Sequence, residues 1–131
     1  MKAGTVKLVY RHFAFLGAES QMAAEASACA QEQDRFWDYH DMLFANQGRE
    51  NSGAFAKAKL LDFARQLSLN MDAFTSCLEG GKYRQKVLED FQEGQRMGVR
   101  GTPAFFIGSQ KIEGNQPYER FRAAIESALA R

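Results

Sequence analysis

A proline directly before a short apolar run is the feature that most constrains how this chain folds. Residues 98–108 read Gly-Val-Arg-Gly-Thr-Pro-Ala-Phe-Phe-Ile-Gly, and the run Ala104–Ile107 has the composition of a buried strand. Because proline lacks a backbone N–H, Pro103 must lie at a sheet edge, at the first position of a strand or at a bend. The X-Pro bond is also the one at which the cis form costs least. The pattern alone leaves two alternatives, a trans proline that begins a strand and a cis proline that presents the backbone of Thr102 to a peptide partner.

The hydrophobic pattern on either side of this segment predicts an α/β chain. Residues 5–12 are rich in β-branched and aromatic residues, which predicts a strand buried on both faces. Apolar residues then recur at helical spacing as far as residue 97. A hairpin follows, and Pro117 opens a last amphipathic helix. The helices predicted before the hairpin cover about 18–32, 34–45, 54–67, 70–80 and 82–97, with Asp34 and Asn70 as N-caps.

Length and composition limit the classes of protein to which the chain can belong. It has 131 residues, of which 45% are hydrophobic and 25% charged, as expected for one globular domain. Seventeen basic and sixteen acidic side chains give a net charge of +1, so neither a nucleic-acid partner nor a membrane partner is predicted. No window holds the roughly 18 apolar residues that span a bilayer, and the first residues lack the apolar run of a secretory signal. No cofactor is predicted, since no glycine-rich phosphate loop is present.

Cys29 and Cys77 are the only cysteines of the chain, and 48 positions separate them. They form no Cys-x-x-Cys motif and no cluster with histidine at ligand spacing, so no metal site is predicted. The residues alone leave three alternatives open, which are two buried structural cysteines, a disulfide and a catalytic thiol. His40 lies on an apolar helix stripe and is predicted to be a hydrogen-bonded core histidine. His12, at the end of the predicted first strand, is the other group that could titrate near neutral pH.

Two groups of motifs give the chain a resemblance to a known family. The Gly-Val-x-Gly-Thr-Pro segment, with its hairpin and last helix, is similar to the C-terminal half of a thioredoxin-like fold. The block Phe36–Phe44 reads Phe-Trp-Asp-Tyr-His-Asp-Met-Leu-Phe. Together with the Ala-rich segment 23–30, it resembles the helical insertion of DsbA-like thiol-disulfide oxidoreductases. The resemblance implies an α/β, thioredoxin-like fold in which residues 1–16 and 99–131 form the sheet part and residues 17–98 a large helical insertion.

The resemblance also implies a function and a difference from the family. It implies a cis Thr102–Pro103 bond, with Thr102 and Pro103 binding a polypeptide substrate, in the bacterial periplasm or another extracytoplasmic location. Members of the family carry a Cys-x-x-Cys after their first strand, and no such motif occurs in this chain. No catalytic residue is therefore assigned, and the chain alone is expected to be inactive in dithiol exchange. Cys29 and Cys77, on the inward stripes of two helices of the insertion, are expected to lie close enough for a structural disulfide in an oxidising compartment.

Without a strand that carries that motif, the sheet is expected to be incomplete and to expose unpaired backbone edges. We expect a homodimer that pairs or exchanges residues 5–12, the alternative being a monomer in which this strand pairs with the hairpin. Two other functions remain open. One is a non-catalytic module that captures a partner strand, and the other is a glutathione-using enzyme similar to the kappa-class transferases and isomerases.

Overall fold

The computed structural model describes residues 3–130, which form six helices and a two-stranded sheet. The elements in chain order are α1 Ala18–Gln31, α2 Phe36–Ala45, α3 Lys57–Gln66, α4 Met71–Glu79, α5 Arg84–Arg96, β1 Ala104–Ile107, β2 Gln110–Glu113 and α6 Tyr118–Leu129. The predicted α/β class and the predicted order of helices, hairpin and last helix are confirmed. The outer ends of the predicted sheet part, residues 1–2 and 131, lie outside the described residues.

The chain divides into two compact units. The helical unit is residues 12–92 and contains α1 to α4 with most of α5. The hairpin unit contains, among the described residues, 3–11 and 93–130, and it holds β1, β2 and α6.

The core of the helical unit forms around α1. Its residues Ala26 and Ala30 are fully buried, and α2, α3 and α4 all contact this helix. Alanine side chains are short, so neighbouring helices can approach the backbone of α1 closely. The larger side chains Tyr39, Leu60 and Phe74 fill the remaining space and are completely buried.

Capping residues set the ends of the helices on either side of this core. The Asn70 side chain accepts a hydrogen bond of 3.1 Å from the Ala73 N–H, which confirms it as the N-cap of α4. The prediction that Asp34 caps α2 is wrong, because Arg35 holds the N-cap position. Asp34 has a positive φ of 57° and belongs to the turn that ends α1, in which the Arg35 N–H donates to the Ala30 carbonyl at 3.0 Å. Aspartate tolerates this left-handed conformation better than most residues.

The strand predicted over residues 5–12 is absent from the structure. Residues 5–9 form no backbone hydrogen bond with any described residue, and Leu8 and Val9 are 48% and 60% exposed. The composition of this segment favours a strand, but a strand also requires a neighbouring strand with which to exchange hydrogen bonds. The sheet of the described residues is therefore limited to β1 and β2.

A buried carboxylate holds the start of the helical unit in place. Asp90 is buried, and its Oδ2 accepts the backbone N–H of His12 at 3.1 Å while Oδ1 accepts Lys86 Nζ at 2.8 Å. Burial opposes ionisation of this carboxyl, but the hydrogen bonds from Lys86 and His12 outweigh it, so the pKa of Asp90 lies below its usual value. Asp90 is thus a charged anchor between residue 12 and α5.

The hairpin unit is built on an antiparallel pair of short strands. The register pairs Ala104 with Glu113 and Ile107 with Gln110, and a two-residue turn begins at Gly108 with a φ of 59°. α6 packs against β1, where the Phe105 and Phe121 rings lie 4.8 Å apart, edge to face. This packing gives the hairpin one covered face.

Candidate functional site

The Thr102–Pro103 peptide bond is cis and lies immediately before β1. The carbonyl of Pro103 accepts the N–H of Gly114 at 2.8 Å, which extends the hairpin by one hydrogen bond beyond the Ala104 and Glu113 pair. Because proline has no backbone N–H, its position at the start of the strand leaves no hydrogen-bond donor unpaired. The hairpin therefore fixes the C-terminal end of the loop that contains Thr102.

The N-terminal side of the same loop is held by two further hydrogen bonds. The Val99 N–H donates to the Gly94 carbonyl at 2.9 Å, and Lys111 Nζ donates to the Gly98 carbonyl at 2.5 Å. Between these anchors, the N–H and C=O of Thr102 have no hydrogen-bond partner among residues 3–130, and Thr102 is exposed. The exposed residue Thr102 thus keeps one unpaired backbone donor and one unpaired backbone acceptor, on a loop that is fixed at both ends.

This loop forms one wall of an open cleft of about 630 Å³. The cleft is lined by Gly98, Arg100, Gly101, Thr102, Pro103, Ala104, Lys111, Glu113 and Gly114. Its volume falls within the range of about 300–1,000 Å³ typical of ligand pockets. A Cβ atom added at Gly101 would meet no atom within 4 Å outside the two neighbouring residues, so the cleft has room for a larger residue at this position.

Two of the three charges in the cleft neutralise each other. Lys111 Nζ lies 2.8 Å from Glu113 Oε1. The hydrogen bond and charge of Lys111 lower the pKa of Glu113, and the charge of Arg100 adds to this effect. Arg100 itself is exposed and forms no ion pair or hydrogen bond with any described residue. Arg100 is not among the site residues that the sequence predicts, although its place two residues before Thr102 is an available signal.

Cys29 and Cys77 are joined by a disulfide in the helical unit, with their Cα atoms 5.9 Å apart. The bond links α1 to α4, and the two cysteines are 1% and 6% exposed. Neither cysteine is free among the described residues.

The two histidines of the sequence lie in the helical unit, in different surroundings. His40 forms a hydrogen bond of 2.9 Å with Asp41, but it is only half-buried, so the predicted core position is wrong. Its ring lies against Trp37 and Phe44, and α2 thus places it at the edge of the core. Burial lowers the pKa of His12, although the charge of Asp90 opposes this.

Residues 3–130 contain no group of three or more His, Cys, Asp or Glu side chains placed to hold a metal ion. None of their helices combines the length and the apolar character needed to cross a membrane.

Comparisons with known proteins agree with the architecture. Residues 1–127 match a thioredoxin family model. The chain is 33% identical over 127 residues to a Na(+)/H(+) antiporter NhaA 1 of Salinispora arenicola, and it spans 19% of that protein. It is 24% identical over 130 residues to a probable disulfide bond formation protein D of Bacillus anthracis, of which it spans 59%. In both cases the match covers at least 95% of this chain.

Two solved structures share its fold. A thioredoxin-like oxidoreductase from Silicibacter pomeroyi superposes with a TM-score of 0.80 at 24% identity, over 95% of this chain and 69% of that one. The thiol-disulfide exchange protein alpha-DsbA2 from Wolbachia pipientis superposes with a TM-score of 0.82 at 21% identity, over 96% of this chain and 67% of that one. The predicted thioredoxin-like architecture is thereby confirmed.

Proposed function

Because the chain belongs to the thioredoxin family, whose model residues 1–127 match, we propose that its Thr102–Pro103 loop binds extended polypeptide segments. The observation that carries the proposal is the free N–H and C=O of Thr102 beside the open cleft. An extended peptide can pair with both groups, as a strand pairs with a sheet edge. Specificity then comes from the side chains that line the cleft.

We further propose that residues 1–131 contribute polypeptide binding and no dithiol exchange of their own. The two cysteines are already joined to each other, and both are buried in the helical unit. Exchange begins with attack by an accessible thiolate, which neither sulfur provides in this state. Peptide binding should therefore not depend on the cysteines.

Filling the cleft at Gly101 is expected to weaken peptide binding without destabilising the protein. The Cβ atom of Gly101→Leu would enter open space, and the rest of the side chain is expected to fill part of the cleft that Gly101 lines. We expect a loss of affinity of about tenfold, equivalent to about 1.4 kcal/mol, for the peptide Gly-Thr-Val-Gln-Val-Thr-Gly. NMR titration of the labelled chain measures the affinity, and thermal unfolding checks stability.

The matched control is Asn115→Leu, which adds similar bulk at an exposed position of the same unit outside the cleft lining. Equal affinity of Gly101→Leu and the unmodified chain would contradict binding in the cleft. Displacement of the peptide by millimolar glutathione would instead favour the glutathione-using alternative.

The free edge of β1 supports strand capture as a second candidate function. Among the described residues, β1 pairs with β2 on one edge only, and residues 6–9, Val-Lys-Leu-Val, are a largely exposed segment without backbone partners. We propose that residues 6–9 of one copy pair with β1 of a second copy, because an open edge and a strand-forming segment satisfy each other's N–H and C=O groups.

Light scattering at micromolar concentration tests this pairing. We expect a mass of twice 14.7 kDa for the unmodified chain. Val9→Asp should shift the mass toward 14.7 kDa, because dimer formation would bury the added carboxylate in each copy, which is unfavourable. Thr5→Asp places the same charge just before the segment and is expected to leave the dimer intact. A monodisperse monomer of the unmodified chain would exclude the proposed pairing.

A further inference from the structure

The charged side chains that line the cleft indicate the charge of the polypeptide segment that it would bind. Building on the proposed peptide binding, we propose that Arg100 makes the cleft select polypeptide segments that carry an acidic side chain. Two cations, Arg100 and Lys111, and one anion, Glu113, line the cleft. The net charge of the residues that line the cleft is thus +1. The whole chain also has a net charge of only +1.

The positive charge available to a ligand is that of Arg100. Lys111 is occupied twice, by Glu113 Oε1 at 2.8 Å and by the Gly98 carbonyl at 2.5 Å. Arg100 forms no ion pair or hydrogen bond within residues 3–130, so a ligand need not break an existing contact to reach its guanidinium. A carboxylate that enters the cleft can therefore pair with the Arg100 guanidinium.

The chemistry of the guanidinium favours a carboxylate over other acceptors. Its planar fork can donate two parallel hydrogen bonds to the two oxygens of an Asp or Glu side chain. Thr102, two residues along the chain, supplies the backbone donor and acceptor that align an extended segment. Backbone pairing and charge recognition thus come from neighbouring residues of one anchored loop.

Three peptides that differ at one position test the selectivity. The probes are Gly-Thr-Val-Xaa-Val-Thr-Gly with Glu, Gln or Lys at the variable position, titrated into the full chain and followed by NMR. Since Arg100 is exposed and screened by solvent, we expect the Glu peptide to bind about three- to fivefold more tightly than the Gln peptide. The Lys peptide should bind more weakly than either, and raising the salt concentration should reduce the differences.

Charge reversal separates recognition by Arg100 from a structural effect. Arg100→Gln should remove the preference for Glu, and Arg100→Glu should reverse it in favour of the Lys peptide. Arg120→Gln removes the same charge from α6, at an exposed position outside the cleft lining, and should keep the preference for Glu.

Three results would overturn the inference, and they are distinguishable. Equal affinity of the unmodified chain for the Glu and Gln peptides would exclude charge selection while leaving the proposed peptide binding intact. Absence of binding for all three peptides would overturn both proposals. A preference for Glu that survives in Arg100→Glu would assign the selectivity to another residue and would also contradict the inference.

Discussion

Replacing both cysteines by alanine is expected to lower the free energy of unfolding of the helical unit by about 4 kcal/mol. The Cys29–Cys77 disulfide spans 48 residues, and the restriction that such a loop places on the unfolded chain accounts for this value. Urea denaturation monitored by Trp37 fluorescence measures the effect, because the single tryptophan lies on α2 in the same unit as the disulfide.

Reduction provides an independent check of the same bond. Dithiothreitol should lower the urea midpoint of the unmodified chain toward that of the Cys29→Ala/Cys77→Ala variant, and it should leave the variant's midpoint unchanged. The variant should also bind the Gln peptide with unchanged affinity, because we assign no thiol to peptide binding. An unmodified chain whose midpoint is insensitive to the reductant would show that the disulfide contributes no stability.

Truncation of Tyr39 is expected to destabilise the helical unit by about 3–5 kcal/mol. The side chain is completely buried, its ring contacts the Phe74 ring at a centroid distance of 5.6 Å, and its hydroxyl donates to the Leu60 carbonyl at 2.8 Å. Burial also raises the pKa of the hydroxyl, which keeps it a hydrogen-bond donor at neutral pH. Tyr39→Ala therefore leaves a large cavity between α2, α3 and α4.

Two further tyrosine variants identify the cause of that loss. Tyr39→Phe keeps the ring and removes only the hydroxyl, so we expect a loss of about 1 kcal/mol in urea denaturation. Tyr118→Ala removes a ring that is 73% exposed and should change stability by less than about 0.5 kcal/mol. Equal losses for Tyr39→Ala and Tyr118→Ala would contradict the assigned core.

Local signals in the sequence predict most elements of the fold. The Asn70 cap and the end of α4 at Gly80 depend on neighbours a few residues away, and so does the two-residue turn at Gly108. The strand expected over residues 5–12 differs, because its formation depends on a partner strand distant in sequence. The sequence predicts Asp34 at the start of α2 because its side chain suits a cap, but its positive φ places it in the turn after α1.

The candidate site is predictable in part for a similar reason. The motif that contains Thr102 and Pro103 locates the loop, since proline restricts the backbone locally. The accessibility of Arg100 is not predictable from the motif, because it depends on which of Lys111 and Arg100 pairs with Glu113 after the hairpin has formed. That β1 keeps one edge unpaired among residues 3–130 likewise cannot be predicted before its partner strand is known.

Binding of an extended polypeptide at the Thr102–Pro103 loop is the central claim, and mapping the amide signals of the labelled chain during titration tests it most directly. With the Gln peptide, the largest shifts are expected for the amides of Gly101, Thr102, Ala104 and Gly114, all of which line the cleft. Smaller shifts should extend along β1. Saturable binding whose largest shifts fall within residues 12–92, or no shift at all at millimolar peptide, would contradict the claim.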